Sequence, residues 1–169
     1  IYSVKASGGS VKQLKGSKGG FDIASGGGSV FLATGGSVER TDPNGSASMP
    51  IPGVTSSGGI GVDSRGTVSV INGAKITLID PSGRPQDVVT TSLSTPMDVA
   101  TDTRNGDIFV LEQSEIKRFN RSGQLMAQFR HNATQPTSIA VDEQGNVYVT
   151  DFGQNYKDSK ILKFGAVND

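Results

Sequence analysis

Chemistry in this chain would have to rest on carboxylates and hydroxyls. The sequence has no Cys, no Trp and a single histidine, His131. Without Cys there are no disulfides, thiolate nucleophiles or Cys-ligated metals. One His cannot build a conventional zinc or iron centre unless several carboxylates join it. His131 lies in the connection 130–135 with no Gly-x-Ser-x-Gly nucleophile nearby, and reads as a solvated surface residue. The segment 16–20 (GSKGG) lacks the GxxxxGK[ST] spacing of a phosphate-binding loop and its strand–loop–helix setting. Asp151-Phe152-Gly153 spells a kinase tripeptide, but the other kinase segments are missing. What stands out is a spaced set of aspartates. Asp63 and Asp102 are 39 residues apart, and Asp102 and Asp142 are 40 apart.

These aspartates sit where short apolar runs meet glycine-containing turns. Ile139-Ala140-Val141 leads through Asp142-Glu143-Gln144-Gly145-Asn146 to Val147-Tyr148-Val149, with Ile161-Leu162-Lys163-Phe164 beyond. Val, Ile and Tyr suit a pleated surface, Asp can bond the turn backbone, and Gly accepts a positive φ. The same order recurs upstream as Val99-Ala100-Thr101-Asp102 to Ile108-Phe109-Val110-Leu111, then Ile116-Lys117-Arg118-Phe119. It recurs again as Ile60-Gly61-Val62-Asp63 to Val68-Ser69-Val70, and in degraded form from Phe21. Pro96 and Pro136 are also 40 apart. A period near 40 with four short strands per unit predicts an all-β β-propeller of antiparallel four-stranded blades. The recurring aspartates then read as turn stabilisers.

The pattern Pro-x-x-Ile-Ala-Val-Asp-x-x-Gly-Asn-Val-Tyr-Val-Thr-Asp at 136–151, followed by Ile-x-x-Phe at 161–164, resembles the NHL repeat of β-propellers. The match is best over 96–164, fair over 52–90 and weak over 21–49. The repeat's usual Asn is met by Asn155, while Lys160 stands in place of its Arg after a longer loop. The resemblance implies one propeller region over 1–169: a partial blade at 1–20, blades at 21–57, 58–95 and 96–135, and a last one at 136–169 lacking its outer strand. Propellers of this kind commonly close with more blades. The chain is therefore expected to be a fragment of a longer propeller, to close through its N-terminal strand, or to be completed by another chain. Its first residue is not Met, and the numbering is expected to begin inside a larger or processed polypeptide.

If such blades stack as usual, loops entering each inner strand and leaving each second strand gather at one end near the axis. That places Asp98, Glu112, Thr137, Asp151 and Asn155 together as candidate binding residues. Hard oxygen ligands of this kind would suit Ca²⁺, as in propeller lactonases; no other cofactor is expected. Tyr148 and Phe152 read as packing or rim aromatics. No catalytic set is evident, so the favoured expectation is a non-catalytic scaffold presenting loops to a protein, peptide or glycan. The alternative is a divalent-metal-dependent lactonase- or esterase-like hydrolase with a carboxylate-lined axial site.

Composition narrows the partners. The 169 residues hold 16 basic and 16 acidic side chains, for a net charge of zero, which argues against a nucleic-acid surface. Lys5, Lys12, Lys15 and Lys18 form a local basic cluster that reads as a solvated face. No apolar run approaches the ~20 residues of a membrane span. The 23 glycines and abundant Ser and Thr lean toward an exported or cell-surface protein.

Overall fold

The computed structural model describes residues 2–3, 12–13, 20–43, 48–56, 58–90, 93–154 and 156–166. All regular structure in them is β. The strands are β1 (Tyr2–Ser3), β2 (Lys12–Gln13), β3 (Asp22–Gly26), β4 (Ser29–Ala33), β5 (Val38–Thr41) and β6 (Ser48–Pro50). Then come β7 (Ile60–Val62), β8 (Val68–Asn72), β9 (Lys75–Ile79) and β10 (Pro85–Val89). The third group is β11 (Pro96–Thr101), β12 (Ile108–Glu112), β13 (Glu115–Phe119) and β14 (Leu125–Arg130). The last is β15 (Pro136–Val141), β16 (Val147–Asp151) and β17 (Lys160–Phe164). Each group from β3 onward is an antiparallel meander: β3–β6, β7–β10, β11–β14 and β15–β17. β1 and β2 pair as a separate two-stranded sheet. The chain is a β-propeller of four such sheets. Among the described residues no helix is long and apolar enough to cross a membrane.

Local hydrogen bonds set the first hairpin of the second, third and fourth sheets. Asp63 Oδ1 accepts the N–H groups of Arg65 and Thr67 at 2.9 and 2.8 Å. Asp142 Oδ1 does the same for Gln144 and Asn146. Asp102 takes the Arg104 N–H at 2.9 Å. Gly66, Gly106 and Gly145 close these turns at φ of 82°, 82° and 84°, a conformation that other residues resist. The turns between third and fourth strands use Asp80 and Asn120 alike in the second and third sheets, each accepting two N–H groups and a serine hydroxyl.

One sheet cannot bury its own apolar face, and stacking supplies three cores. Phe31, Ala33 and Val38 of the first sheet pack on Ile60, Val62, Val68 and Val70 of the second. Ile71, Ile76 and Val89 meet Val99, Ile108, Val110 and Phe119 of the third. Ala100, Phe109, Leu111 and Ile116 meet Ile139, Val147 and Val149 of the fourth. Each fully buried Val, Ile or Leu contributes about 1.5–3 kcal/mol, which is what holds such short sheets in register with one another. The inner strands β3, β7, β11 and β15 lie side by side along the axis. Each begins at one end of the molecule, where chain crosses from sheet to sheet, and runs to the end that carries the Asp63, Asp102 and Asp142 turns. We refer to these as the crossing end and the turn end.

Candidate functional site

The inner strands present free edges to the axis, and two aspartates finish them. Asp22 Oδ1 accepts its neighbour Ile23's N–H, and its Oδ2 reaches across to the Ile60 N–H at 2.9 Å. Asp98 holds the same repeat position in the third sheet. Its Oδ1 accepts the Val99 N–H, and its Oδ2 accepts the Ser138 hydroxyl at 2.6 Å and the Ile139 N–H at 2.8 Å. Each carboxylate thus ties one inner strand to the next. The equivalent residue between them is Gly59, where a Cβ would overlap Asp98 Oδ1 and lie 2.8 Å from Val99 N. Burial pushes the Asp98 carboxyl above the usual carboxylate range, with the Asp22 charge adding to it, despite the Ser138 and Ile139 hydrogen bonds.

Around these clasps opens a cavity of about 360 Å³ at the crossing end, lined by Phe21, Asp22, Gly59, Met97, Asp98 and Thr137. Register shifts in the β11–β12 and β15–β16 ladders leave Met97 and Thr137 without strand partners, and both side chains line this mouth. Such bulges re-aim side chains where a ladder would otherwise fix them. A narrower space of about 260 Å³ continues between the inner strands.

The five residues singled out from the sequence do not form one cluster. Asp98 and Thr137 line the mouth. Glu112 and Asp151 lie at the same end but are buried in the sheet-to-sheet crossings. Glu112 accepts the N–H groups of Ser94 and Thr95 and pairs with Lys117. Burial would raise the Glu112 carboxyl, but Lys117 and those N–H groups outweigh it and hold the pKa below the usual value. Asp151 accepts Gln135, Thr134 and Gly153 N–H groups at 2.8, 3.0 and 3.0 Å, with Lys160 Nζ 3.7 Å away. The Gln135 and Gly153 bonds lead in lowering its pKa to about 2. These are anchors for backbone. Asn155 and the side chains of Lys5, Lys12, Lys15 and Lys18 lie outside the described residues.

Ca²⁺ takes six to eight oxygens. Among the described residues no three His, Asp or Glu side chains gather to hold a metal ion. The oxygens of Asp98, Glu112 and Asp151 face backbone N–H groups instead, so these residues do not fit the ion.

The reading of His131 as a solvated residue is overturned. It is 1% exposed. Its Nδ1 accepts the Ala133 N–H at 3.2 Å, which leaves the ring proton on Nε2 to donate to the Glu112 carbonyl at 2.9 Å. The imidazole therefore folds the crossing 131–135 onto the end of β12. Crossing loops need such partners because their backbone runs over a packed sheet edge.

Two site features were missed in the sequence. Asp22 was legible, since aligning the repeats puts it in register with Asp98. The other is the distribution of aromatic rings. Among the described residues the exposed aromatics are Phe21, Phe152 and Tyr156, and all three belong to the crossing end.

A larger cavity, about 680 Å³, lies elsewhere, between the second and third sheets toward the turn end, with Leu78, Pro85, Val88 and Arg121 in its walls. It marks a break in the repeat. Arg40 stacks over Phe31, Arg118 over Phe109 and Lys163 over Tyr148 at 5.3–6.0 Å, but the corresponding pair in the second sheet is Leu78 and Ser69. Arg121 reaches back across this gap to Thr67 and Asp63.

A family model described as a beta-propeller repeat matches residues 128–150. No curated protein matches the chain by sequence. Among solved structures, a chain of the nidogen/laminin complex shares 20% identity over 81% of this chain and 57% of its own, with a TM-score of 0.67. Virginiamycin B lyase from Staphylococcus aureus shares 16% over 99% of this chain and 63% of its own, at 0.69. Regucalcin, a calcium-binding protein from Agrobacterium tumefaciens, shares 13% over 82% and 58%, at 0.62. At these identities the likeness is one of fold. The chain spans about three-fifths of the length of those three structures.

Proposed function

We propose that the protein is a non-catalytic binding module whose crossing end, around the mouth formed by Asp98, Thr137 and Phe21, receives a protein, peptide or glycan. The observation that carries this reading is the placement of exposed rings: Phe21, Phe152 and Tyr156 share one end with the axial cavity. Exposed aromatic surface is costly in water and valuable in an interface, so its concentration at one end marks a contact surface. The carboxylates of Asp22, Asp98, Glu112 and Asp151 at this end are engaged with backbone N–H groups. A chain of this fold takes part in the nidogen/laminin complex, which is consistent with a role in assembly. An extracytoplasmic setting fits the Gly-, Ser- and Thr-rich composition.

The test is a screen of the protein against a printed glycan array and a phage-displayed peptide library. Hits from either are expected to be lost on substitution at the crossing end, in Phe21→Glu, Thr137→Arg or Tyr156→Ala, and retained in Arg65→Glu at the turn end. The reading fails if hits map to Arg65. It also fails if the protein hydrolyses aliphatic lactones or aryl esters in a divalent-ion-dependent manner that Asp98→Asn abolishes.

A further inference from the structure

The connection between the second and third strands of a sheet is short in the first three sheets. Gly73-Ala74 joins β8 to β9, Gln113-Ser114 joins β12 to β13, and residues 34–37 join β4 to β5. In the fourth sheet residues 152–159 intervene, at the crossing end. An insertion at one repeat on a rigid scaffold is a common way to carry recognition. Its ends are pinned. The Phe152 N–H donates to the Gln135 carbonyl at 3.0 Å, and the Ser159 hydroxyl lies 3.2 and 3.0 Å from the Phe152 and Tyr156 carbonyls.

The insertion exposes a pair of rings. Phe152 is 43% and Tyr156 74% exposed, with centroids 5.6 Å apart and planes inclined by 50°. Tyr156 has φ of 58°, and it is the one non-glycine residue at positive φ among those described. A bulky residue there costs on the order of 1 kcal/mol, so this ring is held outward against a local preference. The same loop carries the exposed side chains of Gln154, Lys157 and Asp158, and the two charges cancel.

We propose that this loop is a carbohydrate-recognition element, with the Phe152 and Tyr156 rings receiving the apolar face of a neutral pyranose. It rests on the binding-module reading above. An aromatic face is electronegative and attracts the polarised C–H groups that a pyranose presents on one side. The equatorial hydroxyls at the sugar's edge then meet Gln154, Lys157 and Asp158. A nucleotide would also stack on such rings, but its phosphates call for an excess of positive charge that the loop lacks. A protein partner of ordinary size needs roughly 800 Å² from each side, well beyond two rings among polar neighbours.

The experiment is a ¹H–¹⁵N NMR titration of the protein with cellohexaose, chitohexaose and laminarihexaose in turn. At least one should shift the amides of 152–159, with affinity falling about tenfold or more in Phe152→Ala and Tyr156→Ala. Both side chains are exposed, and unchanged circular dichroism melts will show that the variants stay folded. The inference is overturned if no hexasaccharide shifts these amides, or if shifts persist undiminished in both variants. If peptides bind at the mouth while the sugars fail, only this inference falls. If neither class binds the crossing end, the module reading falls with it.

Discussion

Asp98 Oδ2 accepts the Ile139 N–H at 2.8 Å, so a carboxylate on one inner strand completes the open edge of the next. It takes the Ser138 hydroxyl as well, and Asp22 makes the matching bond to Ile60. Asp98→Ala would leave a buried N–H without its partner, at a cost of about 1–3 kcal/mol. Asp98→Asn keeps one acceptor and should lose less. Urea unfolding of the three proteins gives the order, and equal midpoints for wild type and Asp98→Ala would show the clasp to be idle.

Acid should separate the two kinds of buried aspartate. Asp151 titrates near 2 in the folded protein, below its ordinary value of 3.8. The unfolded chain then binds the proton more readily. The stability Asp151 provides is complete above the ordinary value and is lost as pH falls toward 2. Asp98 is shifted upward by burial, so its folded form holds the proton longer, and its contribution weakens as pH rises from 3.8 through that raised value. Unfolding midpoints measured from pH 2 to 6 should therefore show a flatter acid limb in Asp151→Asn. In Asp98→Asn the decline above pH 4 should be removed.

Gly59 is held small by Asp98. A methyl group there would overlap the carboxylate and crowd the Val99 nitrogen. Gly59→Ala should lower stability by about 1–3 kcal/mol, the usual range for an overfilled contact. Gly36→Ala is the control, since nothing lies within 4 Å of a Cβ at that position and its φ is not positive. Differential scanning calorimetry of the pair should show a drop in Tm for the first alone.

His131→Ala removes the two hydrogen bonds that fold crossing 131–135 onto Glu112. The expected loss is about 1–3 kcal/mol, with the Ala133 amide exchanging with solvent faster than the Asn146 amide in the distant turn. Uniform exchange across both would assign the loss to global unfolding.

The repeat, its strand order and its turns follow from the sequence because their causes are local. Asp142 bonds N–H groups two and four residues on, and Gly145 supplies the turn's φ, so the hairpin is specified within five residues. Alternation of Val, Ile and Leu then marks the faces that must be covered. The roles of Asp98, Glu112, Asp151 and His131 depend on partners brought near by stacking and crossing. The Asp98 bond joins positions 41 residues apart, and a polar residue at a strand end looks the same in sequence whether it faces water, metal or a neighbouring backbone. His131 looked solvated because its loop is polar, yet the loop lies against the end of β12 and carries the ring inward. Which carboxylates are free, and which rings stand exposed, was decided only when the sheets packed, because packing determines which polar groups lose water and must find another partner.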